Sequence, residues 1–344
     1  MTDPSGRSGP ESTLRPGGGG EAVRDLQRRL VAAGFDIPAA ELGRFGPLTE
    51  QALRAFQERR ALRVDGVCDR ETWNALVESS FRLGDRMLYV RRPMLHGDDV
   101  ADLQRRLNRL GFDAGKEDGI FGPETAGALT EFQRNIGIGA DGILGPDTTE
   151  ALDRLGERHV AGMPEGSVAS VREREELRRG PHRLAGRRVF VAVSPGFAVL
   201  GDRVCRGLAA AGVATALDAS GTDDSALAAA ANGYDADFFL GLRPGDEVGC
   251  GCSYFESGAF RSEAGYRVAV AVADALGAVL GVAPRLCGRR TAALRETRMA
   301  AVLCEPVAHD DVAATRRLVT STAAIADAIV AGIRRGVEEP IPEP

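Results

Sequence analysis

Lysine is all but absent from this 344-residue chain; Lys116 is the only one. Its basic charge is carried by arginine, which points to a GC-rich bacterial coding sequence and says little about chemistry. Histidine is nearly as scarce, with four residues, His96, His159, His182 and His309. They fall in no spaced pair of the kind that holds a metal. The P-loop and the G-x-S-x-G elbow are both missing, and Gly17–Gly20 follows no strand, so it reads as a linker and not a phosphate cradle. A formal net charge of -6 and a pI near 5.5 argue against general nucleic-acid binding. No apolar run is long enough to span a membrane. The opening MTDPSGRSGPESTLRPGGGG has no apolar core of a secretory signal. The expectation is therefore a cytoplasmic protein, associated with membrane only through a partner or precursor. The six cysteines, Cys68, Cys205, Cys250, Cys252, Cys287 and Cys304, follow no framework spacing and are expected as free thiols. Cys250-Gly-Cys252 is a weak metal signal, because it lacks the C-x-x-C spacing of common zinc sites, and whether the pair binds a metal stays open.

What the chain does contain is a duplication. VRDLQRRLVAAGFD from Val23 returns as VADLQRRLNRLGFD from Val100. RFGPLTEQALRAFQ from Arg44 returns as IFGPETAGALTEFQ from Ile120, and Asp65-Gly66 returns as Asp141-Gly142. The offset is 76 or 77 residues, too long for a solenoid unit and suited to two small tandem domains. Within each copy the apolar residues have helical spacing. Leu26, Leu30 and Phe35 share one face; Ala52, Leu53 and Phe56 another; Trp73 and Leu76 a third. Asp-Gly and Phe-Gly-Pro supply the turns between them. Three helices around a small core are expected in each copy.

These spaced leucines, FG-P-x-T, AL-x-x-FQ and DG-x-x-x-x-x-T resemble the peptidoglycan-binding domain family of three-helix modules, over residues 21–80 and 98–155. The first copy departs at Leu42-Gly43-Arg44, where the motif's first Asp-Gly is lost, and that loop is open to a different conformation. The resemblance implies a cell-wall ligand; the motif residues are mainly structural and do not say which side chains would touch it.

The remaining chain changes texture. Residues 1–20 read as a disordered tail, 81–97 and 156–183 as linkers, and 337–344 as a second tail. From 184 to 336, strands at Val189–Val193, Val213–Leu217, Asp237–Leu242 and Met299–Cys304 alternate with helical stretches. The whole chain is thus expected to be multidomain: two small all-α three-helix modules followed by an α/β domain with a largely parallel sheet flanked by helices.

Four elements of this last region, Ser194-Pro195-Gly196-Phe197, AlaAsp-led ADFFLGLR ending at Arg243, LRETRMAAVLCE ending at Glu305, and IADAIVAGI from Ile325, resemble the zinc-dependent N-acetylmuramoyl-L-alanine amidases. That family holds zinc with two His and one Glu and uses a further late Glu in acid–base chemistry. The resemblance places Phe197 and Arg243 at the two His positions, and the stretch from Phe197 to Asp202 is too short for the segment that brings the Glu ligand. Glu305 matches the late carboxylate, retained as a vestige of catalysis. Phenylalanine offers no lone pair, and arginine stays protonated, so zinc is not expected as a cofactor. Arg243 and Glu305 are expected to form an ion pair where zinc would sit; the alternatives are that Arg243 points to solvent or captures an anionic ligand group.

The order of modules resembles the CwlM-type amidase-like proteins of actinobacteria. The leading expectation is a protein that binds peptidoglycan or its precursor, has a catalytically dead amidase-like domain, and regulates cell-wall metabolism, with a regulatory protein as a further partner. An active zinc amidase and a protein-binding scaffold are the alternatives.

Overall fold

The computed structural model describes residues 13–156, 168–179, 182–245, 249–257, 260–308 and 311–339. The chain divides into two compact units, residues 1–169 and 170–344.

The first unit holds both repeats. Repeat 1 consists of α1 (Glu21–Ala32), α2 (Pro47–Arg59) and α3 (Arg70–Glu78); repeat 2 consists of α4 (Asp98–Arg109), α5 (Pro123–Ile136) and α6 (Pro146–Gly156). In α1 the buried Val23, Leu26 and Leu30 form one helical stripe, and Val100, Leu103 and Leu107 repeat it in α4. Pro47 and Pro123 begin their helices, where the missing N–H costs nothing. Asp69 caps α3 by accepting from the Thr72 N–H at 2.8 Å. Phe35 meets Phe56 edge-on at 6.1 Å, and Phe112 meets Phe132 in the same way at 5.6 Å. The two cores are therefore built alike, as the duplication requires.

Two stretches expected to lie outside the domains are part of them. Leu14 is buried and exchanges backbone hydrogen bonds with Cys68, both at 3.0 Å, while Gly20 N donates to Gly43 O. Residues 13–20 therefore complete repeat 1; the tail reading for 1–12 lies outside the described residues. Likewise Leu88, within the expected 81–97 linker, is fully buried and pairs with Leu144 of repeat 2. An ion pair joins the two repeats, Arg60 with Asp98 at 2.7 Å, and Arg86 of the connecting segment pairs with Asp99 of repeat 2 at 2.7 Å.

The second unit is an α/β layer structure. Its strands are β1 (Arg188–Val193), β2 (Ala214–Asp218), β3 (Phe238–Leu242), β4 (Gly251–Ser257), β5 (Phe260–Arg261), β6 (Arg285–Arg289) and β7 (Ala300–Glu305). Its helices are α7 (Val168–Arg179), α8 (Ala198–Ala210), α9 (Asp224–Gly233), α10 (Glu263–Leu280), α11 (Ala292–Arg295), α12 (Val312–Thr320) and α13 (Thr322–Glu338). The sheet runs β2-β1-β3-β7-β4-β5, with β6 also paired to β4. β2, β1, β3 and β7 are mutually parallel; β4 is antiparallel to β7 and parallel to β6. The sheet is thus mostly parallel but mixed. β1 and β3 are buried almost throughout, as strands covered on both faces must be. The expected tail beginning at residue 337 starts within α13, and the 156–183 linker includes α7, whose Glu173 carboxylate accepts from Ser262 Oγ and Glu263 N at the start of α10.

Candidate functional site at the carboxyl edge of the sheet

β1, β3 and β7 are parallel neighbours, so their carboxyl ends share one edge of the sheet. In open α/β sheets that edge is where ligands bind. The three residues singled out from sequence all fall there. Phe197 follows β1 and opens α8; Arg243 directly follows β3; Glu305 is the last residue of β7.

The fold brings two of them together. Arg243 N donates to Cys304 O at 3.1 Å, which continues the parallel ladder and delivers the guanidinium beside Glu305. Arg243 Nε lies 3.4 Å from Glu305 Oε1, and its Nη1 lies 3.5 Å from Asp224 Oδ2 at the start of α9. On the other side, Arg289 at the end of β6 places Nη2 3.9 Å from Glu305 Oε2. Glu305 is buried and held between two guanidinium groups. These separations make ion pairs rather than short hydrogen bonds. Gly251 stands opposite Glu305 on β4, and Gly245, which donates to Val307 O at 2.7 Å, lies against the Glu305 side chain. A Cβ at Gly245 would lie 3.3 Å from Glu305 Cβ. Phe197 does not join this group; its ring is buried in the apolar core with Leu200 and Val204.

Behind the carboxylate lies a sulfur cluster. Cys252 and Cys304 are cross-strand partners, and both are buried with Cys250. Its hydrogen bond with Cys304, together with burial, drives the Cys252 thiol well above the usual range; burial first, then Cys304, raises Cys250. Such thiols stay protonated and inert. Among the described residues no group of three or more His, Cys, Asp or Glu has a geometry that holds a metal.

The donor chemistry at the edge does not fit a zinc site. A tetrahedral zinc needs three neutral or anionic donors converging on one point. Among the described residues two carboxylates, Glu305 and Asp224, are each paired to the Arg243 guanidinium, with Arg289 also facing Glu305, and the nearby aromatic ring is turned into the core. His309, the histidine nearest in sequence, lies outside the described residues, as does His159; His182 precedes β1, and His96 belongs to the first unit.

In the repeats, the polar residues that organise the fold escaped the sequence reading. Gln133 Nε2 reaches Asp141 Oδ1, Ile143 O and Thr148 Oγ1, while its Oε1 accepts from Gly142 N. Gln57 does the same with Asp65, Val67, Thr72 and Gly66, and Gln104 with Asp118, Ile120, Thr125 and Gly119. The fourth copy, Gln27, meets the loop that lost its Asp-Gly. There the Glu41 carbonyl replaces the aspartate oxygen as acceptor at 2.9 Å, and Gly43 N still donates to Gln27 Oε1. The Glu41 side chain caps α2 through Leu48 N and Thr49 N. The loop therefore keeps its conformation by another route. The signal was present in the sequence as LQ or FQ followed by D-G and T at fixed distances.

Comparison with known proteins agrees with the two-part reading. Residues 19–76 and 96–152 match the family model described as "Putative peptidoglycan binding domain". The N-acetylmuramoyl-L-alanine amidase CwlM of Mycobacterium tuberculosis is 37% identical over 198 residues, covering 55% of this chain and 48% of that protein. The N-acetylmuramoyl-L-alanine amidase CwlL of Bacillus licheniformis is 34% identical over 149 residues, covering 37% of this chain and 41% of CwlL. The chain thus spans about half the length of CwlM and somewhat less of CwlL. Among solved structures, the amidase Ami1 from Mycobacterium smegmatis is similar at 20% identity and a TM-score of 0.38, over 45% of this chain and 98% of Ami1. The chain is a homologue of CwlM across 55% of its own length, with two domains of the peptidoglycan-binding type.

Proposed function

We propose that the chain binds peptidoglycan, or a fragment or precursor of it, through its helical repeats, and that its α/β unit is a pseudoenzyme serving regulation of cell-wall metabolism. The observation that supports the loss of catalysis is the Arg243–Glu305 pair. An amidase of this kind needs a metal to polarise the amide carbonyl and to activate water. A guanidinium beside the remaining carboxylate would repel that cation and neutralise the base. Glu305, flanked by Arg243 and Arg289, has a role in holding the carboxyl edge of the sheet together. We place the regulatory role in the cytoplasm, exerted through a membrane-bound precursor or a protein partner. Among the described residues no helix is long and apolar enough to cross a membrane.

The test has two halves. The purified full chain is sedimented with bacterial sacculi, and soluble muropeptides are incubated with it in the presence of zinc. Binding without release of free stem peptide is the expected result. Release of stem peptide that depends on Glu305 would establish an active amidase instead, the activity named for the CwlM and CwlL relatives. Failure to bind sacculi or muropeptides would leave the repeats as a protein-binding scaffold.

A further inference from the structure

α12 faces two environments. Its inner side buries Ala314 and Leu318 in the core of the α/β unit. Its outer side carries Val312, Arg316 and Val319, spaced i, i+4 and i+7 and so aligned in one stripe. Val319 and Val312 are the most exposed large apolar side chains among the described residues, at 72% and 68%. Val199 comes next at 67%, in the first turn of α8. α8 follows β1 and α12 follows β7, and these two strands end at the same edge of the sheet. A single exposed valine is ordinary. Valine is a poorer helix former than alanine, however, and neither valine of α12 recovers that loss by burial within the chain. Two of them on one stripe of a 9-residue helix mark a contact surface.

The charge on the same helix says what fits it. Arg316 and Arg317 are exposed, and neither has an ion pair or a side-chain hydrogen bond among the described residues. Other helices pair such arginines with an acid one turn away, as Arg29 with Asp25, Arg54 with Glu50 and Arg206 with Asp202. α12 has no acid after its cap, Asp311, whose carboxylate is engaged by Ala314 N at 2.7 Å. In a chain of net charge -6 this is a local reversal of sign.

We propose that the outer face of α12 docks a segment of a partner protein that presents acidic side chains between apolar ones. The valines supply the desolvated centre of the contact, and the arginines select a carboxylate-bearing partner and speed encounter. Arginine suits this place because its stem lies along apolar surface while its fork takes a carboxylate. A membrane surface fits less well, since two valines lack the aromatic and leucine face that seats a helix in lipid. The proposal deepens the regulatory reading of the α/β unit by naming where its protein partner docks.

A photo-crosslinking amino acid at Thr315, exposed on the same side of α12, tests it in the full chain within its native cells. The crosslinked segment is sequenced by mass spectrometry. One protein should be captured, through a segment of acidic and apolar residues, and a crosslinker at Val279 on α10 should not capture it. A synthetic peptide of that segment should bind the purified chain. Val312→Ser with Val319→Ser should weaken this binding about tenfold or more, and Arg316→Glu should do the same. All three positions are exposed, so the variants should melt as the unaltered chain does. Crosslinking only to lipid, to a second copy or to nothing overturns the proposal. A captured segment without acidic residues, or a peptide that binds the variants undiminished, overturns it as well. Release of stem peptide from muropeptides would overturn the pseudoenzyme reading instead, and is scored separately from docking.

Discussion

Arg243 directly follows β3 and Glu305 ends the adjacent parallel strand β7, with Nε and Oε1 3.4 Å apart. Glu305 is almost fully buried, while Arg243 is about a quarter exposed by its side chain. Removing only the cation leaves a buried carboxylate relying on Arg289 alone. Arg243→Met should therefore cost about 2 kcal/mol in urea unfolding. Arg243→Met combined with Glu305→Met should recover much of that loss, because a buried ion pair replaced by packed apolar groups is often neutral or better. Additive effects in the double-mutant cycle would show that the two side chains do not interact.

The glutamine staples carry a second prediction. Gln133 is buried and satisfies the Gly142 N–H, the Ile143 carbonyl and the Asp141 and Thr148 side chains together. Gln133→Leu strands the buried Gly142 N–H and Thr148 hydroxyl and should destabilise the first unit by about 2 kcal/mol. Gln57→Leu should do the same in repeat 1. A loss below measurement error in thermal melts would show the staples to be replaceable by water.

This division also explains what could be read from sequence. The apolar stripe of Val23, Leu26 and Leu30 and the turn residues around Phe45 and Phe121 announce three-helix cores directly. Gln27 and Gln133 do not, because a polar residue on an amphipathic helix reads as solvent-facing until its loop partners are known. Residues 13–20 read as a tail on composition, yet the glycines let the chain run close against Gly43 and Phe45. β4 and β6, GCSYFES and RLCGR, escaped because small and charged residues break the apolar pattern that marks a buried strand. The carboxyl-edge residues came from family resemblance; no local pattern around Arg243 points to Glu305, 62 positions away.

Glu117 supplies a pH dependence. Burial raises its carboxyl above the ordinary range, opposed by the Asn108 hydrogen bond and by Arg105. The folded chain then holds this proton more tightly than the unfolded chain. The contribution to stability is full below the unfolded pKa and is lost as pH rises through the folded one. Glu117→Gln should be more stable than the unaltered chain at pH 7, with the gap closing toward pH 4. A gap that is independent of pH would contradict the burial argument.

Close helix packing gives the fourth prediction. A Cβ at Gly332 of α13 would lie 2.5 Å from Val272 Cα and 2.9 Å from Ala271 O of α10. Both contacts are backbone, so the helices must separate to admit a methyl group. Alanine would gain about 1 kcal/mol in helix propensity, but the forced separation should outweigh it, leaving Gly332→Ala about 2 kcal/mol less stable. A stabilised variant would mean that α10 and α13 yield at little cost.

The central claim is that the carboxyl edge of the sheet carries an ion pair in place of a metal. Elemental analysis of the full chain, after incubation with excess zinc and desalting, tests this most directly. The account predicts near-zero zinc. One tightly held zinc per chain, lost in Glu305→Gln or in a His309 variant, would contradict it and restore the site as a metal centre.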